Sequence, residues 1–84
     1  MQSVAVYQRR IFLWSLRAVE ELEIWYREAL EDAQYDDEFD AIYDQWAADE
    51  AEINGLYDDL QAGILALDDD YEIVPATLDN CPLL

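Results

Sequence analysis

Hydrophobic residues recur at helical spacing through the first third of the chain. When residues 3–33 are placed at steps of about 100°, one face is apolar and the other carries the charges. No Pro or Gly interrupts this segment, and Ser3 is suited to cap its start. We therefore predict one long helix over about residues 3–33. Its apolar face consists of Ile11, Ala18, Val19, Leu22, Trp25, Tyr26, Ala29 and Ala33, with Phe12 and Leu30 at the edges.

A second apolar stripe follows a short turn and predicts a helix over about residues 37–66. We expect Asp36 or Asp37 to cap this helix, because a short acidic side chain accepts a hydrogen bond from the first turn. Acids at this end also suit the positive end of the helix dipole. The stripe consists of Phe39, Ile42, Trp46, Ile53, Leu56, Tyr57, Leu60 and Ile64.

Two glycines fall inside this second segment. Asn54-Gly55 is a breaker signal, but the apolar stripe stays in phase across it. We therefore expect a continuous or kinked helix there, while Gly63 marks an earlier point at which the helix can end. Each glycine in a helix interior costs about 1 kcal/mol relative to Ala.

The last residues, 67–84, lose the helical period and predict an extended tail. Tyr71–Val74 has strand character, but no partner strand is evident for it. The expected fold class is therefore mainly all-α: a long antiparallel helical hairpin or small helical bundle with an extended C-terminal tail. At 84 residues the chain forms one domain, residues 1–84. The residues expected to pack the tail onto the helices are Tyr71, Ile73, Val74 and Leu78.

Two apolar residues interrupt the charged face of the first helix. Leu13 and Ile24 lie eleven residues apart, which places them on one line three turns from each other. One interpretation is that they are isolated surface residues, which need no explanation. The other is that they form a second contact strip for the tail, for another copy of the chain in a homodimer, or for a target.

The charge of the chain is strongly asymmetric. Its only bases are Arg9, Arg10, Arg17 and Arg27, while residues 34–84 hold fifteen acids and no base, and the net charge is −17. This charge disfavours direct binding to nucleic acid or to an anionic membrane, since both are negative. No apolar run is long enough to span a bilayer. We therefore expect a basic protein as the partner, with no nucleic acid or membrane bound.

The residue types argue against an enzyme or a metal protein. There is no His and no Lys, so the common general bases and nucleophile activators are missing. The carboxylate-rich segments 36–40 and 68–72 lack the glycine of a calcium loop. We expect no catalysis, no cofactor and no metal site.

Cys81 is the single cysteine and cannot form an internal disulfide, which favours a cytoplasmic protein.

The remaining chemistry is the negative surface itself. Along the second predicted helix the acids recur on one face, at intervals that a groove built for phosphates would accept. The three acids at 68–70 are expected at or just past the helix C-terminus, where the dipole disfavours anions, so we interpret them as functional. The alternative is that they lie beyond the helix in solvent, where they cost little. The predicted partner-binding residues are Asp37, Asp40, Asp44, Glu52, Asp58, Asp59, Asp68, Asp69 and Asp70.

In size, acidity and aromatic content, the chain resembles the small proteins that phages use against restriction enzymes, CRISPR effectors or uracil-DNA glycosylase. The likeness is one of composition, and no motif matches a particular family residue by residue. It implies a DNA-mimic inhibitor that competes for the basic groove of such a target. Trp14, Tyr43 and Tyr57 are candidate apolar anchors, whereas Trp25 and Trp46 are expected to pack in the core.

Three other interpretations remain open. The chain could be an acidic partner subunit, such as an antitoxin or a transcription inhibitor, that binds a basic protein through helix packing. It could carry its acids as an adaptation to a high-salt cytoplasm. It could also be a helical homodimer without a special electrostatic role. The salt dependence of binding and folding separates these cases.

Overall fold

The computed structural model describes residues 3–84 and shows a helical hairpin closed at one end by a small sheet. The elements are α1 (Val4–Asp32), α2 (Asp36–Gln61), β1 (Leu65–Leu67) and β2 (Ile73–Pro75). The molecule measures 51 × 17 × 16 Å, so it is a rod about as long as its helices. The predicted mainly helical hairpin is confirmed.

The first helix begins as the sequence predicts. The backbone N–H of Val6 donates to the Ser3 hydroxyl at 3.2 Å, which is an N-cap hydrogen bond. On the surface, Arg27 and Glu23 form an ion pair one turn apart at 3.9 Å. The helix runs without interruption to Asp32, where a three-residue connection turns the chain back.

The predicted cap of the second helix is wrong. The N-cap residue is Tyr35, which makes no side-chain capping bond, and both Asp36 and Asp37 already lie inside the first turn. The carboxylate of Glu38 instead accepts the backbone N–H of Gln34 at 2.9 Å, which ties the connection to the helix. The acids of the first turn remain favourably placed against the helix dipole.

The second helix is continuous through Asn54-Gly55, as expected, but it ends at Gln61 and not near residue 66. Gly63 has φ 78°, a left-handed conformation that glycine adopts without a Cβ penalty. The backbone N–H of Ile64 donates to the Asp59 carbonyl at 3.0 Å, and that of Gly63 donates to the Leu60 carbonyl at 3.4 Å. These two bonds form a Schellman motif, which satisfies the last carbonyls and stops the helix.

The tail has a partner strand that the sequence pattern did not reveal. β2 pairs antiparallel with β1, with Leu65 opposite Pro75, Ala66 opposite Val74 and Leu67 opposite Ile73. Two of the three β1 residues, Leu65 and Ala66, fell inside the helix predicted to residue 66, so its end and the missing partner strand are one error, whereas the earlier end at Gly63 lies close to the observed one. Once Gly63 stops the helix, the next residues are free to pair.

The core lies at the open end of the hairpin, where the sheet packs on both helices. Its buried members are Tyr7, Ile11, Leu60, Ala66, Leu67 and Cys81. The Tyr7 hydroxyl accepts the backbone N–H of Leu67 at 3.2 Å, which joins α1 to β1 inside the core. As predicted, Tyr71, Ile73 and Val74 pack against it. Leu78 and Ile64 do not, because their side chains are 75% and 62% exposed.

The other half of the hairpin has no comparable core. None of residues 12–59 is fully buried, since two helices alone cover only one face of each other. Trp25, which was predicted to be buried, is 65% exposed. The apolar face of α1 continues past the point that the tail covers, and Trp25 lies on this uncovered part.

Candidate functional site

Six acids of α2 form a row on the face opposite to α1. Helical geometry places them within an arc of about 120° and spreads them over about 33 Å of helix. Five of the six side chains are exposed, and that of Asp59 is half-buried. Among the described residues, no ion pair involves this row. We call it the acidic row: Asp37, Asp40, Asp44, Glu52, Asp58 and Asp59.

The acidic row is not evenly filled. Its widest interval, from Asp44 to Glu52, spans about 12 Å of helix. The same face carries Ala47, Ala48 and Ala51 in that interval, all of them exposed. The carboxylates therefore form one group near the turn and a second group near the end of α2.

The three tail acids do not lie at the C-terminus of the second helix, so that expectation is wrong. Asp68, Asp69 and Asp70 lie in the loop between β1 and β2, several residues past the end of α2, so the helix dipole does not act on them. The Asp68 carboxylate accepts the backbone N–H groups of Asp70 and Glu72, both at 2.9 Å. Asp68 therefore shapes the loop, while Asp69 and Asp70 are exposed.

The β1–β2 loop packs against α1. The guanidinium of Arg10 donates a hydrogen bond to the Asp68 carbonyl and lies over the Tyr71 ring. Arg17 approaches the same ring at 5.8 Å from its centroid. Because the acidic row faces away from α1, the loop acids do not extend that row. Asp69 and Asp70 form a separate negative patch.

Only one of the three predicted aromatic anchors is available at the surface. Trp14 and Tyr57 are half-buried and pack against the core. Tyr43 is 55% exposed, and its ring stacks on Trp46 with 6.4 Å between centroids and 7° between planes. Trp46 is half-buried, as expected of a packing residue, and Tyr26 stacks on it at 5.8 Å.

The same aromatic group contains a polar link between the helices. The Tyr26 hydroxyl of α1 donates to the Asp49 carboxylate of α2, and the Gln45 amide also donates to that carboxylate at 3.0 Å. The hydrogen bond to Asp49 raises the pKa of Tyr26, because ionisation would remove the O–H that donates it and would also place two negative charges together. The indole nitrogen of Trp46 is buried beside this link and has no hydrogen-bond partner among residues 3–84.

An apolar surface on α1 was only partly foreseen. Leu13 and Ile24, the proposed second contact strip, are 42% and 57% exposed. Trp25 is the residue that sequence reasoning missed. The missed signal was length: the predicted tail of 18 residues, folded back on itself as a hairpin, is too short to cover a helix of about 43 Å.

The described residues show neither a metal site nor a membrane-spanning helix. Within residues 3–84, no three His, Cys, Asp or Glu side chains are grouped so that they could hold a metal ion. In the same residues, neither helix is long and apolar enough to cross a membrane. Comparison with known proteins returned no matching family model, no matching curated protein and no matching solved structure.

Proposed function

We propose that this protein is an acidic DNA mimic that inhibits a nucleic-acid-binding protein. The acidic row would occupy the basic groove of the target and block DNA competitively. The observation that carries the proposal is a row of six carboxylates held along about 33 Å of one uninterrupted helix, of which five are exposed and none forms an ion pair within residues 3–84. Because the acids are fixed on a helix, little conformational freedom is lost when they bind.

The row is sparser than a DNA strand. A single strand carries one phosphate about every 3.4 Å, whereas the row places its acids at intervals of about 1.5–12 Å. It would therefore match the spacing of the Lys and Arg side chains that line a groove, not each phosphate. Binding would release the ions that those side chains hold, so its affinity should fall with added salt.

The class of target follows from the resemblance in composition. Small acidic phage proteins act on CRISPR effectors, restriction enzymes or uracil-DNA glycosylase, and each of these binds DNA in a basic groove. A phage-encoded inhibitor of this kind would act in the host cytoplasm. Catalysis, a cofactor and a metal have no part in this mechanism.

A second candidate is an acidic partner subunit that binds a basic protein through helix packing, as an antitoxin or a transcription inhibitor would. The exposed apolar side chains of Leu13, Ile24 and Trp25 favour it, since such residues anchor protein interfaces. Binding of this kind would bury apolar surface and depend little on salt.

A pair of matched triple variants tests whether the acidic row determines binding. Asp37→Asn, Asp40→Asn and Asp44→Asn neutralise one group of the acidic row. Glu20→Gln, Glu21→Gln and Glu28→Gln remove the same charge from exposed positions of α1. The mimic proposal expects only the first set to weaken the capture of a DNA-displaceable protein from bacterial lysate. Equal effects of the two sets would show that total charge, and not the row, determines binding.

A further inference from the structure

The turn end of the hairpin carries an open apolar groove between the two helices. Its volume is about 450 Å³, and it lies at the opposite end of the molecule from the sheet. The floor of this turn-end groove is made of small and aliphatic side chains, so another chain can come close to the helix backbones. Its lining residues are Ala29, Asp32, Ala33, Glu38, Ala41 and Ile42.

The exposed Trp25 belongs to the same surface. It precedes Ala29 by four residues, which places the two side chains one above the other on α1. Trp25 is 65% exposed, while the corresponding face of α1 at the other end is covered by the sheet. An exposed indole beside an apolar groove is the kind of anchor that dominates protein interfaces.

The rim of the turn-end groove is negative. Asp32 and Glu38 line it, and no base occurs anywhere after Arg27 in the sequence. Arg27 itself pairs with Glu23 on another face of α1. A second copy docked groove to groove would therefore bring acids onto acids, and an anionic membrane would be repelled.

We infer that the turn-end groove binds an amphipathic helix whose polar face is basic. α1 and α2 lie side by side, and a third helix can pack into the groove between them, as helices commonly do. Apolar side chains of that helix would contact Trp25 and the groove floor, and its Lys or Arg side chains would meet Asp32 and Glu38. The inference goes beyond the proposed function, because it requires no competition with DNA.

Three synthetic peptides of about 18 residues, or five helical turns, test this inference with the full chain. The first is an amphipathic helix of Leu and Lys. The second keeps every Lys but replaces Leu with Ser, and the third keeps every Leu but replaces Lys with Glu. Only the first is expected to bind at about 0.15 M salt and to shift the backbone amide signals of Ala29, Ala33 and Ala41 in NMR spectra.

Two neighbouring substitutions provide the matched control. Trp25→Ser removes the anchor, whereas Ile24→Ser removes an exposed apolar residue from the other face of α1. Trp25→Ser should weaken binding of the Leu-Lys peptide by at least about 10-fold, and Ile24→Ser by less than about 2-fold. Both side chains are exposed, so neither change should unfold the protein.

Three results would overturn the inference. Equal binding of the Ser-Lys peptide would show that charge alone attracts the peptide. Equal losses for the two variants would place the peptide elsewhere. A wild-type dimer in sedimentation that Trp25→Ser converts to a monomer would show that a second copy occupies the groove. If DNA failed to compete in the lysate experiment, the DNA-mimic proposal would be refuted, but the expected results for the three peptides would not change. The DNA-mimic proposal and the turn-end groove inference can therefore be refuted independently.

Discussion

Arg10 of α1 lies with its guanidinium carbon 4.7 Å from the centre of the Tyr71 ring in the β1–β2 loop. The same guanidinium donates a hydrogen bond to the carbonyl of Asp68. Tyr71 is the one described non-glycine residue with a positive φ, 62°, a conformation that costs an L-residue about 1–2 kcal/mol. These contacts fix the loop on α1 and offset that cost.

We predict that Arg10→Ala destabilises the fold through loss of this attachment. A hydrogen bond from a charged donor contributes about 1.5–3 kcal/mol, and an exposed cation–π contact adds about 0.5–1 kcal/mol. The expected loss in the free energy of unfolding is about 2–4 kcal/mol, measured by urea denaturation. Arg9→Ala makes the same charge change at an exposed neighbour and should cost less than about 0.5 kcal/mol. Equal losses would contradict the attachment.

The two glycines should respond in opposite directions to substitution by Ala. A Cβ at Gly55 would meet nothing within 4 Å, so Gly55→Ala should stabilise α2 by about 0.5–1 kcal/mol. At Gly63, φ is 78° and a Cβ would lie 3.2 Å from a Leu84 methyl carbon. Gly63→Ala should therefore destabilise by about 1 kcal/mol or more. Thermal melts of both variants test this, and a loss of stability at Gly55 would mean that α2 is not a regular helix there.

Alkaline pH should weaken the fold through two tyrosines. Burial raises the pKa of Tyr7, and the hydrogen bond to Asp49 raises the pKa of Tyr26, each from an ordinary value of 10.0. The unfolded state then loses these protons first, so stability is complete below pH 10.0 and declines as the pH rises through the higher folded values.

Urea denaturation at several pH values measures this decline. The double variant Tyr7→Phe and Tyr26→Phe should lose less stability between about pH 9 and pH 11 than the wild type. Tyr35→Phe, which removes a hydroxyl from a side chain that is 66% exposed, is the matched control. A double variant with the full wild-type decline would show that other groups cause it.

The acids of the β1–β2 loop should differ in how much they contribute to the stability of the fold. Asp68→Ala removes the acceptor of two backbone N–H groups and should cost about 1–2 kcal/mol. Asp69→Ala, one residue along and exposed, should stay within about 0.5 kcal/mol of the wild type. The measurement is the free energy of unfolding at neutral pH. Equal costs would mean that the Asp68 carboxylate does not organise the loop.

Local sequence patterns were sufficient to predict most of the helical structure. The apolar period of α1, the Ser3 cap and the continuity of α2 across Gly55 depend on residues within a few turns of each other. The end of α2 depends on a left-handed Gly63 followed by pairing between residues 65–67 and 73–75. That pairing closes a loop and involves two strands of only three residues, so neither strand shows a period of its own.

The candidate site was also predicted only in part from the sequence. The exposed acids of α2 followed from the helical period alone. The tail acids and Trp25 did not, because their surroundings depend on where the sheet packs. Asp68 turned out to shape a loop, and Trp25 lies beyond the half of α1 that the sheet covers. Long-range packing, and not local preference, decided both positions.

The most direct test of the mimic proposal is capture from a bacterial lysate on the immobilised protein at about 0.1 M salt, with and without duplex DNA. The proposal predicts that DNA displaces the captured protein and that a moderate salt gradient elutes it. A captured protein that ignores DNA and stays bound at high salt would contradict the proposal and identify this chain as the acidic subunit of a mainly apolar complex.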